Sequence, residues 1–293
     1  MILVTGATGN VGRVLVHLLD DAGAAVRAVS RSPHAAGLPA RVDVVGSDPA
    51  RPETVIDAFG GVSAIFLNPR AVGGAAPGLL ALAAEHGVKQ VVVLSAINAE
   101  DDPARQPSRY RGDRNKETED AAIASGLEWV AVRPSVFAAN TLGLWGAAIR
   151  RGDVVHGPFA EAASAPIHHR DVAAVAARAL LGDVPSGTRL DVTGPQSLTQ
   201  QQMITTLGDV LHRPLRFQEV PPEPARDAMV AQGFPVAFAD AYLAMLAGTV
   251  GRPARTTATV TEVLGRPAAT FASWVAEHAD AFRSDLGSIV PGR

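Results

Sequence analysis

The chain contains no cysteine among its 293 residues. That absence excludes disulfide bridges, thiolate metal sites, iron–sulfur clusters and a cysteine nucleophile. Aromatic residues make up only 5% of the sequence, so a surface built to stack nucleobases is not expected. Neither sign of charge dominates, because 26 basic and 29 acidic residues leave a net charge of -3. This balance gives no global electrostatic reason to expect nucleic acid or an anionic membrane as a partner.

The sequence also has no apolar run long enough to span a bilayer. The first residues, Met1 to Gly6, carry no basic segment of the kind that begins a signal peptide. We therefore expect a cytoplasmic protein. Hydrophobic residues, at 47%, are as frequent as in ordinary folded domains, and the length fits one large domain or two closely associated ones.

The first half of the chain alternates short apolar segments with longer helical patterns. The short segments predict strands, and their nearly continuous apolarity is typical of strands buried on both faces of a sheet. The predicted strands are Ile2–Thr5, Ala25–Val29, Val42–Val45, Ala64–Leu67, Gln90–Leu94 and Trp129–Val132. The predicted helices between them are Val11–Asp21, Pro52–Phe59, Leu79–His86 and Asp113–Ser125. This alternation predicts an α/β fold, a doubly wound parallel sheet of the Rossmann type.

From about residue 139 the pattern becomes mostly helical. Helices are predicted at Asn140–Arg150, Asp171–Leu181, Thr199–Leu211, Ala225–Gln232, Pro235–Ala247, Thr257–Leu264 and Thr270–Arg283. Short strand candidates lie at Ala165–His168, Thr188–Val192 and Leu215–Val220. We predict a dinucleotide-binding domain over residues 1–138 and a smaller, mostly helical substrate-binding cap over residues 139–293. One or two strands of this cap can return to the main sheet.

A glycine-rich segment, Val4–Arg13, joins the first predicted strand to the first predicted helix. Glycines in such a turn let the backbone approach a pyrophosphate, which then sits on the exposed N–H groups of the helix N-terminus. The position of the segment, after a strand and at the start of a chain of βαβ units, supports this interpretation. A tight turn without a ligand is the alternative. The predicted cofactor-binding residues here are Gly6, Thr8, Gly9, Asn10, Val11 and Gly12.

The end of the second predicted strand indicates which dinucleotide binds. An NAD site usually places an acidic residue there, which binds the ribose 2′-hydroxyl. Residues 24–32 contain no acidic residue and end in Ser30-Arg31-Ser32. Arg31 suits a 2′-phosphate, because a guanidinium pairs with phosphate in a fork. Arg13, just past the glycine segment, is a second candidate. We therefore predict NADP(H) as the cofactor, with NAD(H) possible.

Two loops follow predicted strands at the edge where open parallel sheets bind their ligands. Asn68 follows the fourth strand and Ser95 follows the fifth. Ser95 is a candidate for a hydrogen bond to a substrate oxygen or to the cofactor, and a strand-end cap is the alternative. The loop Ala96–Ser108 is polar and contains two prolines. It is either a mobile lid or a plain surface loop.

The sequence resembles the NmrA-like branch of the atypical short-chain dehydrogenases/reductases. The matching segments occur in order over nearly the whole chain, at Val4–Arg13, Val26–Arg31, Gly46–Asp48, Ala64–Pro69, Val91–Ala96, Asn115–Glu119, Ala124–Ser135, His169–Val175, Val192–Pro195 and Val263–Pro267. Members of that family bind NADP(H) or NAD(H). They include reductases of quinones and other small acceptors, and regulators that sense the cofactor. The resemblance implies cofactor contacts for Asp48, Asn68 and Pro134, and a substrate pocket lined by Phe137 and Asn140.

The resemblance also implies a catalytic helix, and here the sequence departs from the family's parent scheme. That scheme places a Tyr four residues before a Lys, where the Lys holds the ribose and the Tyr donates a proton. Lys116 is present, but the residue four positions before it is Gly112. Tyr110 lies about 120° away on a continuous helix, so it substitutes only if the helix begins later. Lys116 either binds the nicotinamide ribose or forms an ion pair with Asp120.

These observations predict an NADPH-dependent reductase that transfers hydride to a small apolar acceptor such as a quinone, enone or imine. Such an acceptor can take its proton from water, so the reduction does not require the missing Tyr. The catalytic candidates are Lys116, Tyr110 and Ser95, with His156 as a further possible donor. Two alternatives stay open: a non-catalytic redox sensor that acts through a partner protein, and a tailoring enzyme that isomerises or opens a ring. We expect no metal site, and either a monomer or a homodimer.

Overall fold

The computed structural model describes residues 1–33 and 37–283 of the chain. Its strands are β1 (Ile2–Val4), β2 (Val26–Ser30), β3 (Asp43–Gly46), β4 (Ala64–Leu67), β5 (Gln90–Leu94), β6 (Glu128–Pro134), β7 (Val154–Gly157), β8 (Ala163–Ser164), β9 (Thr188–Val192), β10 (Leu198–Thr199) and β11 (Arg216–Glu219). Seven of them form the main sheet, in the order β3-β2-β1-β4-β5-β6-β9, and every pair in it is parallel. The carboxyl ends of all seven strands therefore lie at one edge, and the strand order switches direction between β1 and β4.

Helices cover both faces of this sheet. They are α1 (Asn10–Asp21), α2 (Pro69–Val72), α3 (Ala76–Glu85), α4 (Asn115–Ala124), α5 (Asn140–Arg151), α6 (His169–Leu180), α7 (Gln200–Leu211), α8 (Pro222–Ala231), α9 (Val236–Ala247), α10 (Thr259–Leu264) and α11 (Phe271–Glu277). The α1, α6 and α10 helices share a core with alternate strand residues such as Val4 and Val92. The residues between them, such as Leu3 and Val91, pack against α3 and α4. The predicted α/β fold is confirmed.

The second half of the chain has a hydrophobic core of its own, in which α5, α7 and α11 meet. Trp145 of α5 packs there with Leu207 of α7 and Trp274 of α11. One strand from this half of the chain, β9, pairs with β6 and completes the main sheet. In the described residues no helix combines the length and the apolarity that crossing a bilayer requires.

Several local predictions differ from the structure. The helix predicted at Thr270–Arg283 is the shorter α11, which ends at Glu277 and is followed by a 3-10 turn at Ala279–Phe282. Residues Ala165–His168 form no strand, and only Ile167 makes a single bridge, to Phe137. The strand predicted at Leu215–Val220 exists as β11, but it pairs with β7, which the sequence pattern did not indicate. The helix predicted at Pro52–Phe59 is two 3-10 turns, Pro52–Thr54 and Ile56–Phe59.

Candidate functional site

The glycine segment folds into a turn that only glycine tolerates. Gly6 has a φ of 66°, in the left-handed region, and a Cβ on it would lie 2.8 Å from the Asn68 side chain. A Cβ on Gly12 would lie 2.2 Å from the carbonyl oxygen of Gly6. The first turn of α1 is thereby pressed against the end of β1. This cradle of bare backbone is the shape that a pyrophosphate requires, so the residues present fit a dinucleotide.

The N-terminus of α1 is open to an anion. Gly9 stands at the N-cap with no side-chain cap, and the first turn holds no acidic residue. The first N–H groups of a helix have no partner within it, and they carry the positive end of the helix dipole. Thr8 and Asn10 are exposed beside this end. The side chain of Val11 is buried in the core, so it can offer a ligand only its backbone N–H.

Asn68 is fixed beside Gly6 by hydrogen bonds at the end of β4. Its backbone N–H donates to Thr5 Oγ1 over 2.9 Å, and Thr5 donates in turn to the Phe66 carbonyl. Its side-chain oxygen accepts from the N–H groups of Arg70 and Ala71 and caps α2. The structure therefore brings the predicted Asn68 to the glycine turn, at the switch in strand order.

The predicted residues for the adenosine end of the cofactor lie around β2 and β3. Arg31 follows β2, is exposed, and makes no hydrogen bond or ion pair within residues 1–33 and 37–283. Arg13 donates to the carbonyl oxygen of Gly37, in the connection between β2 and β3, over 3.0 Å. The Asp48 carboxylate accepts from the Ala50 N–H and so shapes the turn after β3. Arg31 is thus the cation here whose hydrogen-bonding groups remain available.

The helix that was predicted to carry the catalytic residues begins later than predicted. The α4 helix starts at Asn115, and Tyr110 lies before it in a separate 3-10 turn, Pro107–Arg111. Gly112 has a φ of 96° and breaks the two apart. The angle of about 120° between Tyr110 and Lys116 therefore does not apply, because they do not share a helix. Tyr110 is 41% exposed.

Lys116 forms the ion pair that was the alternative interpretation of this residue. Its ammonium group pairs with the Asp120 carboxylate one turn further along α4, and both side chains are partly exposed. An exposed pair of this kind stabilises the fold by about 0–1 kcal/mol. A bound ribose can therefore replace Asp120 at little cost.

An ion pair at the carboxyl edge of the sheet links the residues after β4 to the residues before α4. The guanidinium of Arg70, just after β4, donates to both carboxylate oxygens of Asp113, over 2.7 and 2.8 Å. The hydrogen bonds that Arg70 donates to Asp113 raise the pKa of Arg70. The pair ties the loop after β4 to the residues that lead into α4.

A buried ionic network lies beneath this region, and the sequence reasoning missed it as a functional feature. Glu119 of α4 is 1% exposed and accepts from Nε and Nη2 of Arg133, over 2.9 and 2.6 Å. Arg189 of β9 donates to the same carboxylate over 2.9 Å. Arg133 also reaches Glu100, in the loop after β5, over 3.0 Å. The network therefore joins α4, β6, β9 and that loop.

Burial alone would raise the pKa of Glu119. The hydrogen bonds from Arg133 and Arg189, with the Ser95 hydroxyl close by, outweigh burial and hold the pKa of Glu119 below its ordinary value. Hydrogen bonds to Glu119 and Glu100 raise the pKa of Arg133 despite its burial.

Ser95 belongs to the surroundings of this network. Its hydroxyl is buried and lies beside Glu119 without completing a hydrogen bond of normal geometry. An arginine at the end of an apolar strand such as β6 was the available signal for the network, since buried arginines need a counter-charge. The contact of Ser95 with substrate or cofactor stays a prediction.

The remaining predicted site residues lie at the end of β6 or after it. Pro134 is the last residue of β6 and is buried. Phe137 is partly buried against the core and makes an isolated bridge to Ile167. Asn140 is exposed at the first position of α5. His156 is exposed on β7, outside the main sheet. Within the residues that the structure describes, no three His, Asp or Glu side chains converge as a metal site requires.

Comparison with known proteins agrees with the dinucleotide site that the geometry indicates. A model of the NAD(P)H-binding family matches residues 6–183. A (4-alkanoyl-5-oxo-2,5-dihydrofuran-3-yl)methyl phosphate reductase of Streptomyces griseus is 38% identical over 287 residues, which cover 96% of this chain and 99% of that protein. An NAD(P)H azoreductase of Xenophilus azovorans is 35% identical over 296 residues, which cover 96% and 99%.

Solved structures agree on the fold. An NADPH-dependent quinone oxidoreductase of Escherichia coli, complexed with NADPH, superposes with a TM-score of 0.82 at 22% identity, covering 96% of this chain and 100% of that chain. The glycine cradle, the open end of α1 and these matches lead to one conclusion. The chain belongs to the NAD(P)H-binding family, as an NAD(P)H-dependent oxidoreductase of the NmrA-like type that its sequence segments predicted.

Proposed function

We propose that the chain is an NADPH-dependent reductase of small conjugated enones. The observation that carries the proposal is the bare-backbone cradle formed by Gly6 and Gly12, at the sheet edge where α4 begins with Lys116 in its first turn. The acceptor class is supported by the Streptomyces griseus relative, whose name describes a ring double bond conjugated to carbonyl groups. Quinones and azo compounds, named for other similar proteins, are the neighbouring acceptor classes.

The chemistry of an enone suits a site without the family's Tyr. Bound NADPH supplies the hydride, which adds to the carbon β to the carbonyl. The electron pair of the double bond then becomes an enolate, which the carbonyl stabilises and which takes a proton from water. The chain contributes binding and orientation. The backbone of α1 holds the pyrophosphate, Lys116 exchanges Asp120 for the ribose, and Phe137 and Asn140 line the acceptor pocket.

The test is NADPH oxidation by the purified protein with an acyl butenolide, a simple cyclic enone, a quinone and an azo dye. We expect consumption of NADPH matched by saturation of the carbon–carbon double bond, identified in the product by mass spectrometry and NMR. Tight cofactor binding without oxidation by any acceptor would support the redox sensor instead. Conversion of the butenolide without net NADPH consumption would support the tailoring enzyme.

Arg31→Ala should separate the two dinucleotides. A charge-assisted hydrogen bond contributes about 1.5–3 kcal/mol, so the variant should bind NADPH about tenfold to a hundredfold more weakly and NADH almost unchanged. Titration of both cofactors by calorimetry measures this. Arg51→Ala is the matched control, because that exposed arginine already pairs with Glu53. Equal losses for NADPH and NADH, or a wild type that prefers NADH, would contradict the assignment of Arg31.

Lys116→Ala and Tyr110→Phe should differ in steady-state kinetics. Lys116→Ala removes a contact to the ribose that exists before and during the transition state, so it should raise KM for NADPH more than it lowers kcat. Tyr110→Phe should keep most of the rate, because an enolate needs no positioned donor. A true general acid contributes about 10²–10⁴-fold, and a loss of that size in Tyr110→Phe would reject protonation by water.

Asp120→Asn is the control for Lys116→Ala, since it frees the Lys116 ammonium group and should not raise KM for NADPH.

A further inference from the structure

The 3-10 turn that leads into α4 presents one arginine whose charge is not neutralised. Arg111 is exposed, and its guanidinium lies 5.9 Å from the ring centre of Phe234 and 5.8 Å from that of Phe238. Within residues 1–33 and 37–283 it makes no ion pair with a carboxylate. A guanidinium that stacks on aromatic rings keeps its N–H edge free and pre-oriented for a forked contact with an anion.

The carboxylates around Arg111 are paired with other bases. Asp113, two residues on, accepts both hydrogen bonds of Arg70. Asp240, on the helix beneath, pairs with Arg226. An anion at Arg111 therefore does not compete with Asp113 or Asp240, which already have cationic partners.

The neighbouring arginines are used in other ways. Arg109, on the same 3-10 turn, forms a two-bond ion pair with Glu117. Arg114 donates to the backbone oxygens of Arg109 and Asp113. Arg105 lies beside Gly248, at the C-terminal end of α9, where a cation stabilises the helix dipole. Arg111 is thus distinct from the other arginines of this loop.

Three rings on one side of α9 and the turn before it lie under Arg111. Phe238 is buried, whereas Phe234 and Tyr242 are partly exposed. We call Phe234, Phe238 and Tyr242 the aromatic ladder. Phe234 and Phe238 stack with ring centres 5.0 Å apart, and Phe238 and Tyr242 with centres 6.2 Å apart and planes 5° from parallel. Burial raises the pKa of Tyr242, so its phenol stays neutral and adds no charge that would repel an anion.

The ladder adjoins the predicted acceptor pocket. Leu144 of α5, one turn after Asn140, packs against the same cluster. The 3-10 turns of the loop between β5 and α4 pack along α9. This loop lies at the carboxyl edge of the sheet, because it connects the end of β5 to the start of α4. Arg111 therefore lies at the rim of the predicted acceptor pocket, with the aromatic ladder between it and α5.

We propose that Arg111 and the aromatic ladder form an acceptor subsite that selects acceptors carrying an anionic group, phosphate or carboxylate, next to a flat or apolar body. The anionic group pairs with the guanidinium at the rim, and the body lies along the ladder toward Asn140. The subsite deepens the proposed function and rests on it for its role in turnover. Anion binding itself is measurable without turnover.

The binding experiment uses full-length protein saturated with NADP⁺, which fills the phosphate sites of the cofactor. Phenyl phosphate, benzoate, phenol and inorganic phosphate are titrated by isothermal calorimetry. We expect phenyl phosphate or benzoate to bind at least tenfold more tightly than phenol, and the better of the two identifies the anion. Inorganic phosphate, which has no body for the ladder, should bind more weakly than phenyl phosphate.

Arg111→Gln should weaken the aromatic anion about tenfold to a hundredfold and leave phenol unchanged. Arg109→Gln is the matched control, since Glu117 already neutralises that arginine, and it should change neither ligand. Phe238→Leu should weaken phenol and the aromatic anion by the same factor. Thermal melting of each variant verifies folding. An unchanged affinity in Arg111→Gln, or an equal loss in Arg109→Gln, would overturn the subsite.

Kinetics connect the subsite to turnover. With a phosphorylated enone and its neutral alcohol, Arg111→Gln should raise KM about tenfold or more for the first and leave the second unchanged. Equal KM changes for both acceptors would overturn the selective role. If wild type reduces no acceptor, the proposed function fails. The calorimetric titrations still test the anion subsite, because they do not depend on turnover.

Discussion

Glu119→Gln is expected to lower the free energy of unfolding by about 3 kcal/mol. Removal of one partner from a buried ion pair typically costs about 3–5 kcal/mol, because the remaining charge is left uncompensated. The lower end applies here, since Arg133 keeps its contact with Glu100 and Arg189 is 44% exposed. Urea unfolding monitored by circular dichroism measures the change.

The control for Glu119→Gln lies on the same helix. Glu117→Gln breaks the more exposed pair with Arg109, and it should cost about 0–1 kcal/mol. The two effects also differ in their pH dependence. Because the folded-state pKa of Glu119 is lowered, its stabilisation is present above the ordinary carboxyl pKa and is lost as pH falls through the folded-state value. The gap between wild type and Glu119→Gln should therefore narrow below about pH 4. Equal costs for the two variants at neutral pH would contradict the buried network.

Gly12→Ala is expected to weaken NADPH binding at least a hundredfold. The new methyl group would lie 2.2 Å from the carbonyl oxygen of Gly6, so α1 and the turn before it must separate. Each hydrogen bond to a charged group contributes about 1.5–3 kcal/mol, and the loss of two of them to the pyrophosphate exceeds a hundredfold in affinity. NADH should weaken by a similar factor, because both dinucleotides share the pyrophosphate. Calorimetric titration of the two cofactors gives the ratio.

Gly23→Ala serves as the control at the other end of α1. Gly23 has a φ of 76°, and a Cβ there meets no atom within 4 Å. Its substitution should cost about 1–2 kcal/mol of stability through backbone strain and leave both cofactors bound as in wild type. Normal NADPH affinity in a folded Gly12→Ala protein would show that the cradle does not hold the pyrophosphate.

Most of the main sheet could be predicted from local patterns, because strands such as β4 and β5 are short, nearly continuous apolar segments. Ala64–Leu67, Gln90–Leu94 and Thr188–Val192 were predicted with the bounds that the structure has. The β7 strand could not be predicted in this way. Its partner β11 lies far along the chain, and only that pairing makes its four residues a strand. Ile167 shows the converse, since it is apolar and buried yet makes only one bridge.

The candidate site likewise has features that the local sequence predicts and features that depend on distant residues. The glycine segment is visible in the sequence because its whole geometry is encoded within seven residues, from Gly6 to Gly12. The network around Glu119 joins residues 14 and 70 positions away, and no local spacing shows such a contact. Likewise, the late start of α4 depends on the φ of Gly112 and on the 3-10 turn before it. The apolar pattern of the helix carries no information on either.

The place of β9 at the end of the sheet affects how the protein is made. β6 ends at Pro134, but the strand that covers its outer side does not begin until Thr188. During synthesis the ribosome therefore releases β6 with a free row of backbone N–H and C=O groups, while α5 and α6 are still being made. A nascent chain of this kind can pair with another nascent chain on the same message, which is the usual hazard of an open strand edge. Completion of the nucleotide-binding sheet thus waits on translation into the second half of the chain, and a pause before β9 would lengthen the vulnerable interval.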